Sequence, residues 1–191
     1  SYERMIKLVQ QAENKLINYR PVDFLNHKSP SKLIPLSTIL PVLRGALGRA
    51  ALKKQSSRRW LLELRVNPLI LDLVNDDRLV DWASRGVATP DHVIRTKACP
   101  MVLEKPPERT DQDHFKVPND INSWEVSVEK SLSEYIHEYE KYFHRHNKRF
   151  SGQKKQLDPL PRLIAIPGIG FVGVGNSSKS ASVAADIGEA W

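Results

Sequence analysis

Three groups of residues in this chain have the types and spacing that chemistry requires. Gly168-Ile-Gly170-Phe-Val-Gly173 satisfies the G-x-G-x-x-G pattern of dinucleotide-binding turns, in which missing side chains let the backbone approach a pyrophosphate. Thr89-Pro-Asp-His-Val-Ile-Arg-Thr-Lys97 opens with a helix-capping signature and places His92 and Arg95 three residues apart, on one face of a short helix. With Lys97 these side chains could hold a phosphate or carboxylate, and His92 could act as an acid or base. His137, Glu140 and His144 recur at steps of three and four, a spacing that presents metal ligands along one helix face.

Each group also has a purely structural reading. A dinucleotide site needs its glycines where a helix opens, yet Phe171, Val172 and Val174 continue as apolar residues and the helix signal starts only near Ser177 or Ser178. A strand–turn–strand hairpin uses the same glycines, and it is the favoured reading. Binding of a nicotinamide cofactor by Gly168, Gly170 and Gly173 stands as the alternative. His137, Glu140 and His144 sit among Glu138, Lys141 and Arg145, which points to a wet, charged face rather than a supported pocket. The Asp91–Lys97 group reads equally as a helix cap with surface ion pairs. Cys99 has no base beside it in sequence and reads as a packing residue, as does His146.

The elements that position these residues follow from periodicity. Tyr2, Met5, Ile6, Val9, Ala12, Leu16 and Ile17 form one face of a helix over residues 1–19, with Ser1 as its cap, and Arg20-Pro21 ends it. Residues 21–36 form a proline-bearing connector. A helix is expected from Ser37, as cap, to Lys54, burying Ile39, Leu40, Leu43, Leu47, Ala50 and Ala51. Next come a strand over 58–65 and a helix from Pro68 to Gly86 with a possible break at Asn75-Asp-Asp77. That helix is expected to bury Leu69, Leu73, Leu79, Val80 and Trp82. The short helix at 89–97 precedes a strand over 99–103 and a polar stretch over 104–122. Ser123–Asn147 carries the clearest stripe: Val128, Leu132, Tyr135, Ile136, Tyr139, Tyr142, Phe143 and His146. Residues 150–160 return to the strand Leu163–Ile166, followed by the glycine turn, a second strand and a final helix. This order specifies an α/β fold: a layered α-β-α domain with a small, mainly antiparallel or mixed sheet covered by helices.

At 191 residues, 40% of them apolar, the chain is long enough for one globular domain with a sizeable core. No apolar run is long enough to cross a bilayer. A single cysteine excludes an internal disulfide framework and fits a reducing, cytoplasmic setting. The net charge of +7 is concentrated between Arg44 and Arg65, where seven basic residues face one acid, Glu63. Such a patch could contact phosphates. No aromatic residue is interleaved within Lys53–Arg59 for base stacking, so a solvated loop there is favoured and nucleic acid is not the expected partner.

Ser1-Tyr-Glu-Arg-Met-Ile-Lys-Leu-Val9, Thr89–Lys97, and Asp158-Pro-Leu-Pro-Arg162 with Pro167–Gly175 together resemble the middle part of bifunctional proteins of the rhamnulose-phosphate aldolase/alcohol dehydrogenase type. Those carry a class II aldolase/adducin-like region followed by a short-chain dehydrogenase domain. The resemblance implies residues 1–20 as the closing helix of an upstream aldolase-like unit, 21–36 as a linker and 37–191 as a diverged aldolase-like domain. It implies a place in deoxy-sugar catabolism of the rhamnose type, with a sugar phosphate, flanking domains and a second copy of the chain as candidate partners. A divalent metal and NAD(P) are expected elsewhere in the longer protein, and none in this chain. Family metal ligands, a His-x-His and the histidine of Asn-His-Gly, match Leu64-Arg65-Val66 and Pro167-Gly168-Ile169, which contain no histidine. The resemblance thus implies a non-catalytic scaffold or oligomerisation module, with His92, Arg95 and Lys97 as its remaining candidate site residues.

Overall fold

The computed structural model describes residues 2–17, 33–54, 59–87, 89–108 and 119–190. Ser1 as a cap, the connector over 21–32, the loop positions 55–58, the polar positions 109–118, Trp191 and the side chain of Asp91 lie outside the described residues.

The two longest apolar runs build the centre of the molecule. β3 (Leu163–Ile166) and β4 (Gly170–Gly175) are buried at every position. They pair antiparallel, with Leu163 opposite Gly173 and Ile166 opposite Gly170. β1 (Leu61–Arg65) pairs antiparallel with β4, and the short β2 (Met101–Val102) pairs parallel with β3. The sheet order is β1-β4-β3-β2, so β1, β3 and β2 all run one way and β4 alone runs back.

Alternation along the strands divides the core in two. Ile164, Ile166, Val172 and Val174 join Trp60, Leu62 and Leu64 against α2 (Leu36–Lys53) and α6 (Asn119–Asn147). From the helices come Ile39, Leu43 and Leu47, and Val128, Leu132 and Ile136. On the other face, Leu163, Ala165 and Phe171 meet Ile70, Val74 and Leu79 from α3 (Pro68–Val74) and α4 (Leu79–Ser84). α5 (Pro90–Thr96) leads toward β2, and α7 (Ser178–Glu189) closes the second face. This is the layered α/β architecture expected, with a mixed sheet.

α7 lies close against the sheet because both surfaces lack bulk. Its inner face is Ala181, Ala184, Ala185 and Gly188. A Cβ on Gly173 would stand 2.6 Å from the Ala185 nitrogen and 2.8 Å from its Cβ, and one on Gly175 2.7 Å from the Ser180 carbonyl carbon. The helix opens at Ser178 behind the Ser177 cap, whose hydroxyl accepts from the Ser180 N–H while the Ser180 hydroxyl accepts from the Ser177 N–H. The glycines of the G-x-G-x-x-G match therefore shape a hairpin and seat a helix. Gly168 turns the chain at φ 80°, and Gly170 (φ 133°) passes so close to the Arg65 carbonyl that a side chain would collide with it.

Several local expectations need correction. α2 begins at Leu36 with Pro35 as N-cap and no capping side chain, so Ser37 lies inside the first turn. The 68–86 segment breaks into α3 and α4 at Asn75, whose backbone ends α3. Leu69 and Val80, expected inside, are 72% and 68% exposed, because α3 turns Ile70 and Val74 inward and α4 turns Leu79 and Ala83 inward; Trp82, also expected inside, is half-buried. The strand expected over 99–103 pairs only at Met101–Val102, leaving Cys99 outside it. α6 starts at Asn119, four residues before Ser123, which buries Ile121. Its stripe opens to solvent toward the C-terminus: Ile136 is buried, Tyr142 is exposed, and half-buried His146 lies 4.6 Å from the Tyr142 ring. α1 (Tyr2–Ile17) is amphipathic as expected, yet none of its described residues is buried.

Gly173→Ala should cost at least about 2 kcal/mol in urea unfolding, because the added methyl meets α7 backbone rather than a movable side chain. Gly48→Ala, where an added Cβ meets nothing within 4 Å in a helix interior, should stabilise by up to about 1 kcal/mol. Equal effects at the two sites would refute the proposed role of α7 packing.

Candidate functional site

The sheet brings together the two segments that the aldolase resemblance assigns to one metal centre. Arg65, the last residue of β1, is the register partner of Phe171, and its carbonyl abuts Gly170 at the end of the β3–β4 turn. The turn is held from outside by Asn75, whose Oδ1 accepts from the Gly168 N–H at 2.7 Å. The Arg65 guanidinium is fully engaged there. It donates to Asp186 Oδ1 at 2.7 Å, Glu63 Oε1 at 2.7 Å and Ser182 Oγ at 3.2 Å, and lies 3.9 Å from a Glu189 oxygen. The Glu63 and Asp186 hydrogen bonds hold its pKa above the ordinary arginine value. A fixed cation with no imidazole beside it repels a divalent metal. Among the described residues, no three His, Cys, Asp or Glu side chains converge to hold one.

The Thr89–Lys97 segment folds as its capping signature requires, but its three candidate residues do not converge. Thr89 Oγ1 accepts from the His92 N–H at 3.3 Å, with Pro90 in the first turn. His92 is half-buried, and its Nδ1 has no partner among the described residues. Arg95 is exposed. Lys97 leaves the helix at φ 67°, ψ −176°, a region populated almost only by glycine, and turns inward to 7% exposure. Its Nζ donates to the Asp158 carbonyl at 2.5 Å and lies 3.7 Å from the centre of the Tyr139 ring.

Lys97 thereby joins a buried polar cluster that sequence reasoning missed. Arg162 pairs with the Asp158 carboxylate, and its guanidinium covers Trp60 at 4.7 Å. The Tyr135 hydroxyl donates to the Cys99 carbonyl at 2.8 Å, and burial raises its pKa. The cluster lies at the N-terminal ends of β1, β2 and β3, which Trp60, Cys99 and Arg162 precede, at the opposite edge from Arg65. In sequence, Asp158 and Arg162 stand out only as part of a motif. Nothing in their spacing pointed to Lys97, 61 residues away.

The remaining candidates are surface groups. His137 and His144 are exposed, and Glu140 between them is held by Lys54 at 2.6 Å. Cys99 is half-buried, with its thiol pKa raised by burial. Three cations of the basic stretch are held in ion pairs: Arg49 pairs with Glu125 and Glu129, Lys54 with Glu140, and Arg65 with Asp186, while the expected loop centre at 55–58 lies outside the described residues.

The family described as "Aldolase class II, second domain" matches residues 35–191. The chain is 29% identical over 189 residues to the "Uncharacterized oxidoreductase YuxG" of Bacillus subtilis (strain 168), an alignment covering 95% of this chain and 25% of that protein. The chain thus spans about a quarter of the length of this relative. No solved structure matches. No helix among the described residues is long and apolar enough to cross a membrane.

Burial of Lys97 gives the cluster a pH signature. Desolvation lowers its pKa from 10.5 to about 8, partly opposed by the Asp158 carboxylate and reinforced by Arg162. The folded state binds this proton more weakly than the unfolded chain. The penalty is therefore present in full below pH 8 and is relieved as pH rises from about 8 to 10.5. At about 1.4 kcal/mol per unit, its full size is about 3 kcal/mol. Tyr135 and Cys99, whose pKa values are raised, act in the opposite direction at high pH. Comparison with Lys97→Met isolates the lysine: the stability advantage of the variant should shrink steadily between pH 8 and 10.5 in denaturant titrations. A constant difference across that window would contradict the buried, proton-releasing lysine.

Proposed function

The chain belongs to the class II aldolase second-domain family, and we propose that it is a non-catalytic module of that family within a longer sugar-phosphate aldolase/dehydrogenase. The observation that carries this reading is Arg65. It stands where the family resemblance expects a metal-binding histidine, and Glu63, Asp186, Ser182 and Glu189 surround its guanidinium. The residues present do not fit a divalent metal, and no step of aldol cleavage is assigned to them.

The size and printed name of the relative support the rest. YuxG is called an oxidoreductase, and three quarters of its length lies outside the alignment. A metal-bearing aldolase unit and a nicotinamide-binding short-chain dehydrogenase would occupy such flanking sequence, acting together on a deoxy-sugar phosphate of the rhamnose type in the cytoplasm. The family match starts at residue 35, beyond α1. Tyr2, Met5, Ile6 and Val9 are each 44–70% exposed, and this apolar face would pack on the preceding unit as its closing helix. The module would then serve as scaffold or assembly surface. Of its three early candidates, His92 and Arg95 remain open to a site completed by a neighbour, and Lys97 does not.

Retro-aldol assays on the 191-residue chain test the reading. With rhamnulose 1-phosphate and added Zn²⁺, dihydroxyacetone phosphate should not form above the protein-free background. Turnover that chelation abolishes would overturn the non-catalytic assignment.

A further inference from the structure

The groove between α2 and the C-terminal half of α6 is lined unlike the rest of the surface. It encloses a cavity of about 250 Å³. Its floor is small and apolar, made by Ala46 and Ala50 of α2 with Leu132 and Ile136 of α6. Its walls are charged and held in place. Arg49 is fixed by Glu125 and Glu129, and Lys54 is fixed by Glu140 at 2.6 Å. Lys53 and His137 complete the walls, and neither has an ion-pair partner among the described residues. The hydroxyl of Ser133 adds a donor and acceptor.

We propose that this groove binds a small phosphorylated polyol. Lys53 and His137 meet the phosphate, while Glu129, Glu140 and Ser133 accept or donate hydrogen bonds to its hydroxyls. Neighbouring carboxylates and cations suit such a ligand better than a bare anion, which the two glutamates would repel, or an apolar one, which the walls would desolvate poorly. Ion pairs that already hold Arg49 and Lys54 lower the entropy lost when the ligand enters. Ala46 and Ala50 leave the room: a longer side chain at Ala50 would fill the cavity from below.

A second trough continues from the shared residues His137 and Glu140 to Lys141, His144, Arg145 and Lys148. The eleven α6 residues from His137 to Asn147 extend it by about 15 Å, so a larger phosphorylated sugar has space at that end. The groove lies on the face of the sheet away from α7 and Arg65, and the inference does not depend on the non-catalytic reading of the module.

Glycerol 3-phosphate is the probe, with inorganic phosphate and glycerol as controls, titrated into the 191-residue chain by calorimetry and amide NMR. Saturable binding of glycerol 3-phosphate is expected, with shifts confined to the end of α2 and to residues 129–140, and weaker binding of each control. The exposed-wall double variant Lys53→Gln/His137→Gln, which removes both phosphate contacts, should weaken it by at least about tenfold, with an unchanged circular-dichroism spectrum. Ala50→Leu, which fills the floor without touching the charges, should abolish it. No saturation by 10 mM ligand, or affinity unchanged in either variant, would overturn the proposal. Inorganic phosphate binding as tightly as glycerol 3-phosphate would overturn the role of the carboxylates and serine.

Discussion

The close approach of α7 to β4 governs the rest of the structure. A helix normally rides on a sheet at about 10 Å, with side chains between. Here Gly173 and Gly175 on one side, and Ala181 and Ala185 on the other, bring backbone to backbone, while Gly188 leaves room for the Leu163 side chain of β3. That contact sets how deep α7 lies, and its depth brings Ser182, Asp186 and Glu189 within reach of Arg65 at the end of β1. One steric constraint in a central strand thus determines the electrostatics at the end of the edge strand beside it.

The two ends of the sheet carry opposite solutions for a buried or half-buried cation. Arg65 is surrounded by carboxylates, which favour its charge. Lys97 has one carboxylate and one arginine nearby and little water, so its charge is disfavoured, and a backbone carbonyl and an aromatic face take up its ammonium. Arginine at the first site and lysine at the second suit these roles, since guanidinium keeps its proton in a carboxylate cage whereas an ammonium releases it near pH 8 when desolvated. Neither arrangement leaves the open coordination position on which aldolase-type metal chemistry relies.

Much of the fold was legible in the sequence because its signals were local. The run Leu163–Ile166 and the alternation in Trp60–Leu64 identified strands, Thr89-Pro90 and Asn67-Pro68 marked helix starts, and the apolar continuation after Gly170 separated a hairpin from a cofactor loop. What could not be read depended on one residue's direction or on distant partners. Lys97 was grouped with His92 and Arg95 because a helix was assumed to continue, whereas its backbone reverses at φ 67° with no glycine to announce it. A possible break at Asn75 is visible in sequence, but the face that each short helix buries is not: Ile70, Val74, Leu79 and Ala83 lie inside, and Leu69 and Val80 lie outside. The pairs that divide the basic stretch link residues 76 to 121 positions apart, beyond any pattern in a single sequence.

In the function proposed for this chain, an arginine-anchored junction of β1, the β3–β4 turn and α7 stands where the family's metal centre would be. The most direct test is the thermal midpoint of the 191-residue chain in EDTA and across a titration of Zn²⁺ and Co²⁺. A site that binds metal only in the folded state must raise the midpoint as metal rises past its dissociation constant. The same midpoint is expected throughout. A saturable rise of several degrees that Arg65→Ala enhances would contradict it.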